Sequence, residues 1–127
     1  MPSRVPPRAP RIPVLLVEDD DGVRRSLHLM LHGRGYDVRS YAAAAPLLAD
    51  PERGSAQCLI ADHRLPDSDG IAVLAALRAE GWRGRSVLIT GHDAAPLRGA
   101  ARTAGYDMLL EKPLRPHELI EAIEGAR

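Results

Sequence analysis

Short apolar runs that take turns with amphipathic stretches constrain this chain more than any single residue does. The runs fall at residues 14–17, 38–41, 58–61, 87–90 and 108–110, each close to turn-forming residues. Runs this short fit strands buried on both faces of a parallel sheet better than they fit helices. The segments between them carry helical spacing. Val23, Leu27, Met30 and Leu31 share one face, with Asp21 placed to cap that helix and Gly33 and Gly35 to close it. The stretch AAAAPLLAD predicts a short second helix, with Pro46 near its first turn. Ile71, Leu74 and Leu77 stripe a third helix that stops at Gly81, and a weaker fourth covers about 96–104. Leu119, Ile120 and Ile123 stripe the last, which opens at Pro116 and ends at Gly125.

Five strands alternating with five helices imply a parallel sheet covered on both faces. Right-handed crossovers leave few topologies for such a chain. The expected fold is therefore α/β: a flavodoxin-like (βα)5 doubly wound parallel sheet with strand order 2-1-3-4-5. Its ligand crevice lies beyond the carboxyl ends of strands 1 and 3. Strand 1 runs straight into four carboxylates, Glu18, Asp19, Asp20 and Asp21, and strand 3 runs into Asp62. Like charges so close together repel unless something positive lies among them. Either the run is solvated on a loop or it holds a cation.

Composition narrows the function classes. A chain of 127 residues, 45% hydrophobic and 27% charged, fits one globular domain with a real core. Lys plus Arg and Asp plus Glu are both 17, so no global field favours nucleic acid or an acidic membrane. The single cysteine, Cys58, cannot form an intrachain disulfide, which agrees with a reducing cytoplasm. No apolar stretch approaches the roughly 20 residues that cross a bilayer. A cytoplasmic protein with no membrane attachment is expected.

Four strand ends carry chemistry: Glu18 and Asp19 after strand 1, Asp62 after strand 3, Thr90 on strand 4 and Lys112 after strand 5. Converging carboxylates suit a hard, hydrated cation such as Mg²⁺ (or Mn²⁺). A carboxylate can also accept a phosphoryl group, a reaction helped mainly by positioning and charge neutralisation. The cation would hold one phosphoryl oxygen, the Lys112 ammonium another and the Thr90 hydroxyl a third.

Four motifs in order, VLLVEDDDGVRRSL, LIADHRLPDSDG, VLITGHD and LLEKPL, mark a resemblance. Over roughly residues 11–124 the chain resembles the receiver domain of bacterial two-component response regulators. The resemblance implies that Asp62 is phosphorylated by the phosphohistidine of a histidine kinase. It implies that Asp19 binds Mg²⁺ directly and Glu18 through water, with Asp62 and the backbone carbonyl of Arg64 as further ligands. Thr90 would turn inward onto the phosphate, Lys112 would contact a phosphoryl oxygen, and the Lys112–Pro113 bond would be cis. Asp20 and Asp21 fall outside the metal set and start a helix whose dipole favours negative charge. Arg64 sits where family members tune phosphoryl lifetime, Gly91 would leave the site open to a kinase histidine, and His92 would modulate access. The aromatic that many receivers carry three residues before the lysine is Leu109 here. The face of the fourth helix, fifth strand and fifth helix is therefore expected to report phosphorylation weakly.

On this reading the chain is a phosphoacceptor module rather than a turnover enzyme. Its expected partners are a histidine kinase, a histidine phosphotransfer protein or both, and a downstream protein. No DNA binding by this chain is expected, because it ends too soon for a helix-turn-helix domain. It would be a monomer, or a homodimer through the face just named. A disordered arm over 1–11, a receiver domain over 12–124 and a tail over 125–127 complete the organisation. Two other classes compete. A haloacid-dehalogenase-type phosphatase would use the D-x-D spacing of Asp19 and Asp21, but it needs a cap and a second acidic pair. A pseudo-receiver scaffold would not need Asp62, Thr90 and Lys112 intact. Among the remaining residues, His28 and His32 read as helix-surface decoration and Cys58 as core. Trp82 reads as cover for an edge between the third helix and fourth strand, and Asp67, Asp69 and Gly70 as a turn into the third helix.

Overall fold

Strands β1 (Ile12–Val17), β2 (Tyr36–Tyr41), β3 (Cys58–Asp62), β4 (Arg85–Thr90) and β5 (Met108–Glu111) pair in parallel in the order β2-β1-β3-β4-β5. This flavodoxin-like order is the one the alternating pattern predicts. The structure, a computed structural model, describes residues 11–91 and 94–125. Helices α1 (Asp21–Gly33), α2 (Ala44–Ala49), α3 (Gly70–Ala79), α4 (Arg98–Ala104) and α5 (Pro116–Glu124) connect and follow the strands.

Successive strand residues point to opposite faces, so each central strand feeds two cores. Val14, Leu16, Cys58, Ile60, Val87 and Ile89 pack with Leu27 and Leu31 of α1 and Leu119 and Ile123 of α5. Leu15, Val17, Leu59, Ala61 and Leu88 pack on the other side with Leu47 of α2 and Val73, Leu74 and Leu77 of α3. Double-sided burial is why β1, β3 and β4 read as unbroken apolar runs. Each fully buried Leu or Ile contributes about 2 kcal/mol.

β1, β2 and β4 begin earlier than their apolar runs. β1 pairs with β2 from Ile12↔Tyr36 onward, and β3 pairs with β4 from Cys58↔Arg85. β2 is an edge strand whose alternate residues Asp37 and Arg39 face solvent, so hydrophobicity alone misses its start. The α1 cap also differs from expectation. Asp20, not Asp21, is the N-cap: its backbone is extended and its Oδ1 accepts from Val23 N at 2.9 Å. Asp21 is the first helical residue and pairs with Arg24 at 2.6 Å.

Asp69 caps α3 by accepting from Ala72 N at 2.8 Å, as the expected turn requires. Trp82 is buried after α3; its Nε1 donates to Ala56 O at 2.7 Å and Arg78 lies over its ring. Cys58 is buried in β3, and burial pushes its thiol up to about 12. Of the arm expected over 1–11, only Arg11 lies among the described residues, and its Nη1 donates to His32 O at 2.8 Å. Of the tail over 125–127, only Gly125 is described. Among the described residues, no helix is long and apolar enough to cross a membrane.

Candidate functional site

Strand order reverses between β1 and β3, and their carboxyl ends open one crevice. Glu18 follows β1 directly and is wholly buried, with its N–H donating to Tyr41 O at the end of β2 at 3.0 Å. Asp62 is the last residue of β3 and is also buried. Asp19 is exposed beside them. Ligand oxygens of Glu18, Asp19 and Asp62 all lie within 4.8 Å of one another.

Lys112, one residue beyond β5, reaches back into the crevice. Its Nζ lies 2.6 Å from Glu18 Oε1 and 3.2 Å from Asp62 Oδ2. The Lys112 N–H donates to Thr90 O at 2.8 Å, which ties the lysine to the end of β4. Thr90 itself is buried at that end. The Lys112–Pro113 peptide is cis. Gly91 is exposed beside the lysine: a Cβ there would lie 3.8 Å from Lys112 Cδ, an ordinary contact. Arg64 is exposed, and its N–H points to Asp62 Oδ1 at 3.4 Å. Leu109 on β5 is half-buried against the core of α2, α3 and α4. His92 lies outside the described residues.

The donor set fits a hard cation. All three side chains are carboxylates, which is magnesium or manganese chemistry rather than zinc chemistry. Glu18 Oε1 is buried, and its close partner is the Lys112 ammonium at 2.6 Å. That one ammonium also serves Asp62, so the three clustered carboxylates are short of positive charge, which a cation would supply.

Burial pushes the Glu18 carboxyl up to about 7, against the pull of Lys112 and of the Asp20 N–H. Burial works to lower the Lys112 pKa, but the Glu18 and Asp62 carboxylates outweigh it and the net shift is upward. Between Glu18's ordinary 4.5 and about 7, the metal-free folded protein holds a proton that the unfolded chain has released. Stability must therefore fall as pH rises through that window. Lys112 adds stability that is lost as pH rises from its ordinary 10.5 through its raised pKa, outside the window. The lowered carboxyls of Asp50, Asp67 and Glu80 act at more acidic pH. Urea denaturation without metal is expected to give a stability on the order of 2 kcal/mol lower at pH 8 than at pH 5. Added Mg²⁺ should recover it at pH 8, since metal ligation takes the ionised carboxylate.

Two residues that brace the site escaped the sequence reading. Arg24 Nη1 donates to Glu18 O at 2.8 Å and to Asp19 O at 3.4 Å, fixing the acidic turn from α1. Its spacing of three from Asp21 on one helix face was the available signal. Asp67 reaches away from its expected turn to the start of α2, with both oxygens bonded to backbone N–H groups. Three histidines stay outside: His28 Nδ1 lies 2.5 Å from Ser40 Oγ, and His32 and His117 are exposed.

A doubly wound parallel sheet whose crevice joins an acidic pair, a strand-end aspartate and a lysine places the chain among flavodoxin-like α/β proteins. Comparison with known proteins makes it specific. The response regulator receiver domain family matches residues 14–124, and the chain belongs to that family, the receiver domains of two-component systems. It is 32% identical over 115 residues to the transcriptional regulatory protein FixJ of Azorhizobium caulinodans, covering 91% of this chain and 54% of that protein. The crystal structure of FixJ-N superposes with a TM-score of 0.78 at 35% identity, covering 89% of this chain and 90% of that one. Chemotaxis protein CheY4 of Vibrio cholerae shares the fold, with a TM-score of 0.83 at 22% identity over 90% of this chain and 97% of that one. The chain spans about half the length of the curated relatives it matches.

Proposed function

We propose that Asp62 accepts a phosphoryl group from the phosphohistidine of a histidine kinase or a histidine phosphotransfer protein, and that the chain signals through changed protein contacts. The observation that carries this reading is the Lys112 ammonium, 2.6 Å from Glu18 and 3.2 Å from Asp62 at one crevice. In the transfer the P–N bond of the phosphohistidine breaks as a P–O bond to the Asp62 carboxylate forms. Charge on the moving group must be neutralised, and little other chemistry is asked of the protein. Glu18, Asp19, Asp62 and the backbone carbonyl of Arg64 would hold Mg²⁺ or Mn²⁺, which when bound offsets the negative charge of carboxylates and phosphoryl group alike. Lys112 orients one phosphoryl oxygen and the Thr90 hydroxyl turns inward onto another. The Arg64 side chain sets how long the acyl phosphate lasts, while Gly91 and His92 govern access to it.

Thr90 and Lys112 join the site to β5, where Leu109 leaves only small packing changes to reach the α4–β5–α5 face. Homodimerisation, where it occurs, uses that face, along which Met108 is exposed. The functional unit is residues 12–124, a cytoplasmic phosphoacceptor without turnover activity or DNA contacts of its own.

Acetyl phosphate with Mg²⁺ tests this directly. Mass spectrometry is expected to find about one phosphoryl group per chain, and p-nitrophenyl phosphate to be turned over negligibly. Steady ester hydrolysis would replace this reading with a phosphatase. No label from acetyl phosphate or from phosphorylated kinases would leave a scaffold.

A further inference from the structure

We infer that Asp67 is a positioning residue: its carboxylate clamps the loop after β3 to the start of α2 and so holds the two walls of the metal crevice at their working separation. The inference rests on the metal-assisted phosphoacceptor reading proposed above. One Asp67 oxygen accepts from Ala44 N at 2.9 Å and the other from Ala45 N at 2.9 Å. These are first-turn N–H groups of α2, whose own N-cap residue, Ala43, supplies no side-chain acceptor. With both oxygens engaged, the carboxylate cannot swing, and the loop tip is pinned in position as well as direction.

Each end of this clamp leads to the site. On one side, Asp67 sits between Arg64 and Asp69, which bridge to each other, with Leu65 N donating to Ser68 O at 3.2 Å. That short closed loop carries Asp62 at its start and the Arg64 carbonyl beside it. On the other side, α2 follows β2, whose last residue, Tyr41, holds the Glu18 N–H at 3.0 Å. The path Asp62–Asp67–Ala44–Tyr41–Glu18 therefore closes a ring at the crevice mouth, in which the Asp67 bonds are the link outside the sheet and the Tyr41–Glu18 bond continues the β1–β2 ladder. The two α2 N–H groups hold the Asp67 carboxyl below its ordinary range, so the anionic clamp persists at neutral pH.

A plain helix cap would look the same in one structure, so the experiment separates the two. Ala43 has the extended backbone of an N-cap, φ −151° and ψ 166°. Ala43→Ser therefore caps α2 locally, through Ala45 N–H, without bridging to the loop. Three proteins are compared: the parent, Asp67→Ala, and Asp67→Ala with Ala43→Ser. Mg²⁺ affinity is read by calorimetry, and amide hydrogen exchange is read on the metal-free proteins. The double variant is expected to regain protection at Ala45 and the parental melting temperature. Its amides over 63–69 should still exchange faster than the parent's, and its Mg²⁺ affinity should stay about tenfold weaker. Parental Mg²⁺ affinity in either variant overturns the clamp and leaves a helix cap. A parent that binds no Mg²⁺ brings down the site reading itself, a different failure, and the clamp with it.

Discussion

Asp62→Asn is expected to abolish phosphoryl uptake from acetyl phosphate and to leave the metal-free protein, at pH 8, more stable than the parent by about 1 kcal/mol. The loss follows from chemistry: an amide oxygen is not a carboxylate nucleophile, and neither of the other two carboxylates in the crevice is placed to take its part. Asp19 is exposed, and Glu18 is wholly buried with Oε2 accepting from Asp20 N at 3.0 Å. The gain follows from electrostatics. Three carboxylates whose oxygens lie within 4.8 Å share one ammonium, so the metal-free site holds more negative charge than it can balance. Asparagine keeps the shape and an acceptor for Lys112 while removing one charge. Mass spectrometry and urea denaturation on the same samples measure both effects. A label on the Asn variant would move the phosphoacceptor elsewhere. A less stable variant would mean that the Asp62–Lys112 attraction outweighs the repulsion among the acids.

This opposition between function and stability also explains what was legible in the sequence. Chemistry-bearing residues stand out because they break the local pattern: Glu18 and Asp62 end apolar runs, and Lys112 follows one. The central strands were legible for a related reason, since burial on both faces of β1, β3 and β4 favours apolar residues along most of each strand. Where burial is one-sided, the signal fades. The first residues of β2 and β4, including Asp37 and Arg85, join the ladder through backbone pairing that any residue provides. The role of Asp67 left no local signal and that of Arg24 only its spacing from Asp21, because the partners that matter are main-chain N–H and C=O groups. Asp67 bonds to backbone 22 and 23 residues away, a distance no local pattern encodes. The helix cap expected at Asp21 falls one residue earlier, at Asp20. The choice fell to backbone angles: the extended residue caps and the next one starts the helix.

Gly70→Ala is expected to cost roughly 3–4 kcal/mol, at the upper end of penalties for overfilling a core, and to slow phosphoryl uptake about tenfold or more. Gly70 does not have a positive φ, so its glycine is required by space rather than by backbone conformation. A Cβ there would lie 2.6 Å from the Asp62 carbonyl oxygen, 2.6 Å from Leu88 Cδ1 and 3.3 Å from Ala61 Cβ. The leucine methyl can rotate away, but the carbonyl belongs to the end of β3. That strand end is held in the sheet by the pairing Asp62↔Ile89 and by His63 N donating to Ile89 O at 2.8 Å. The alternative is for α3 to back out. That would stretch the 3.0 Å bond from Gly70 N to His63 O and the 2.6 Å bond from the buried Tyr106 hydroxyl to Gly70 O. Either way the error lands on Asp62, the proposed phosphoacceptor, one residue before His63. Gly99→Ala is the control, because nothing lies within 4 Å of a Cβ there and the site is an exposed helical position. That change should stabilise the protein by about 0.5–1 kcal/mol and leave uptake unchanged. If Gly70→Ala proves as harmless as Gly99→Ala, then the packing of α3 on β3 does not fix where Asp62 sits. Urea denaturation and the initial rate of acetyl phosphate labelling would show that within one set of samples.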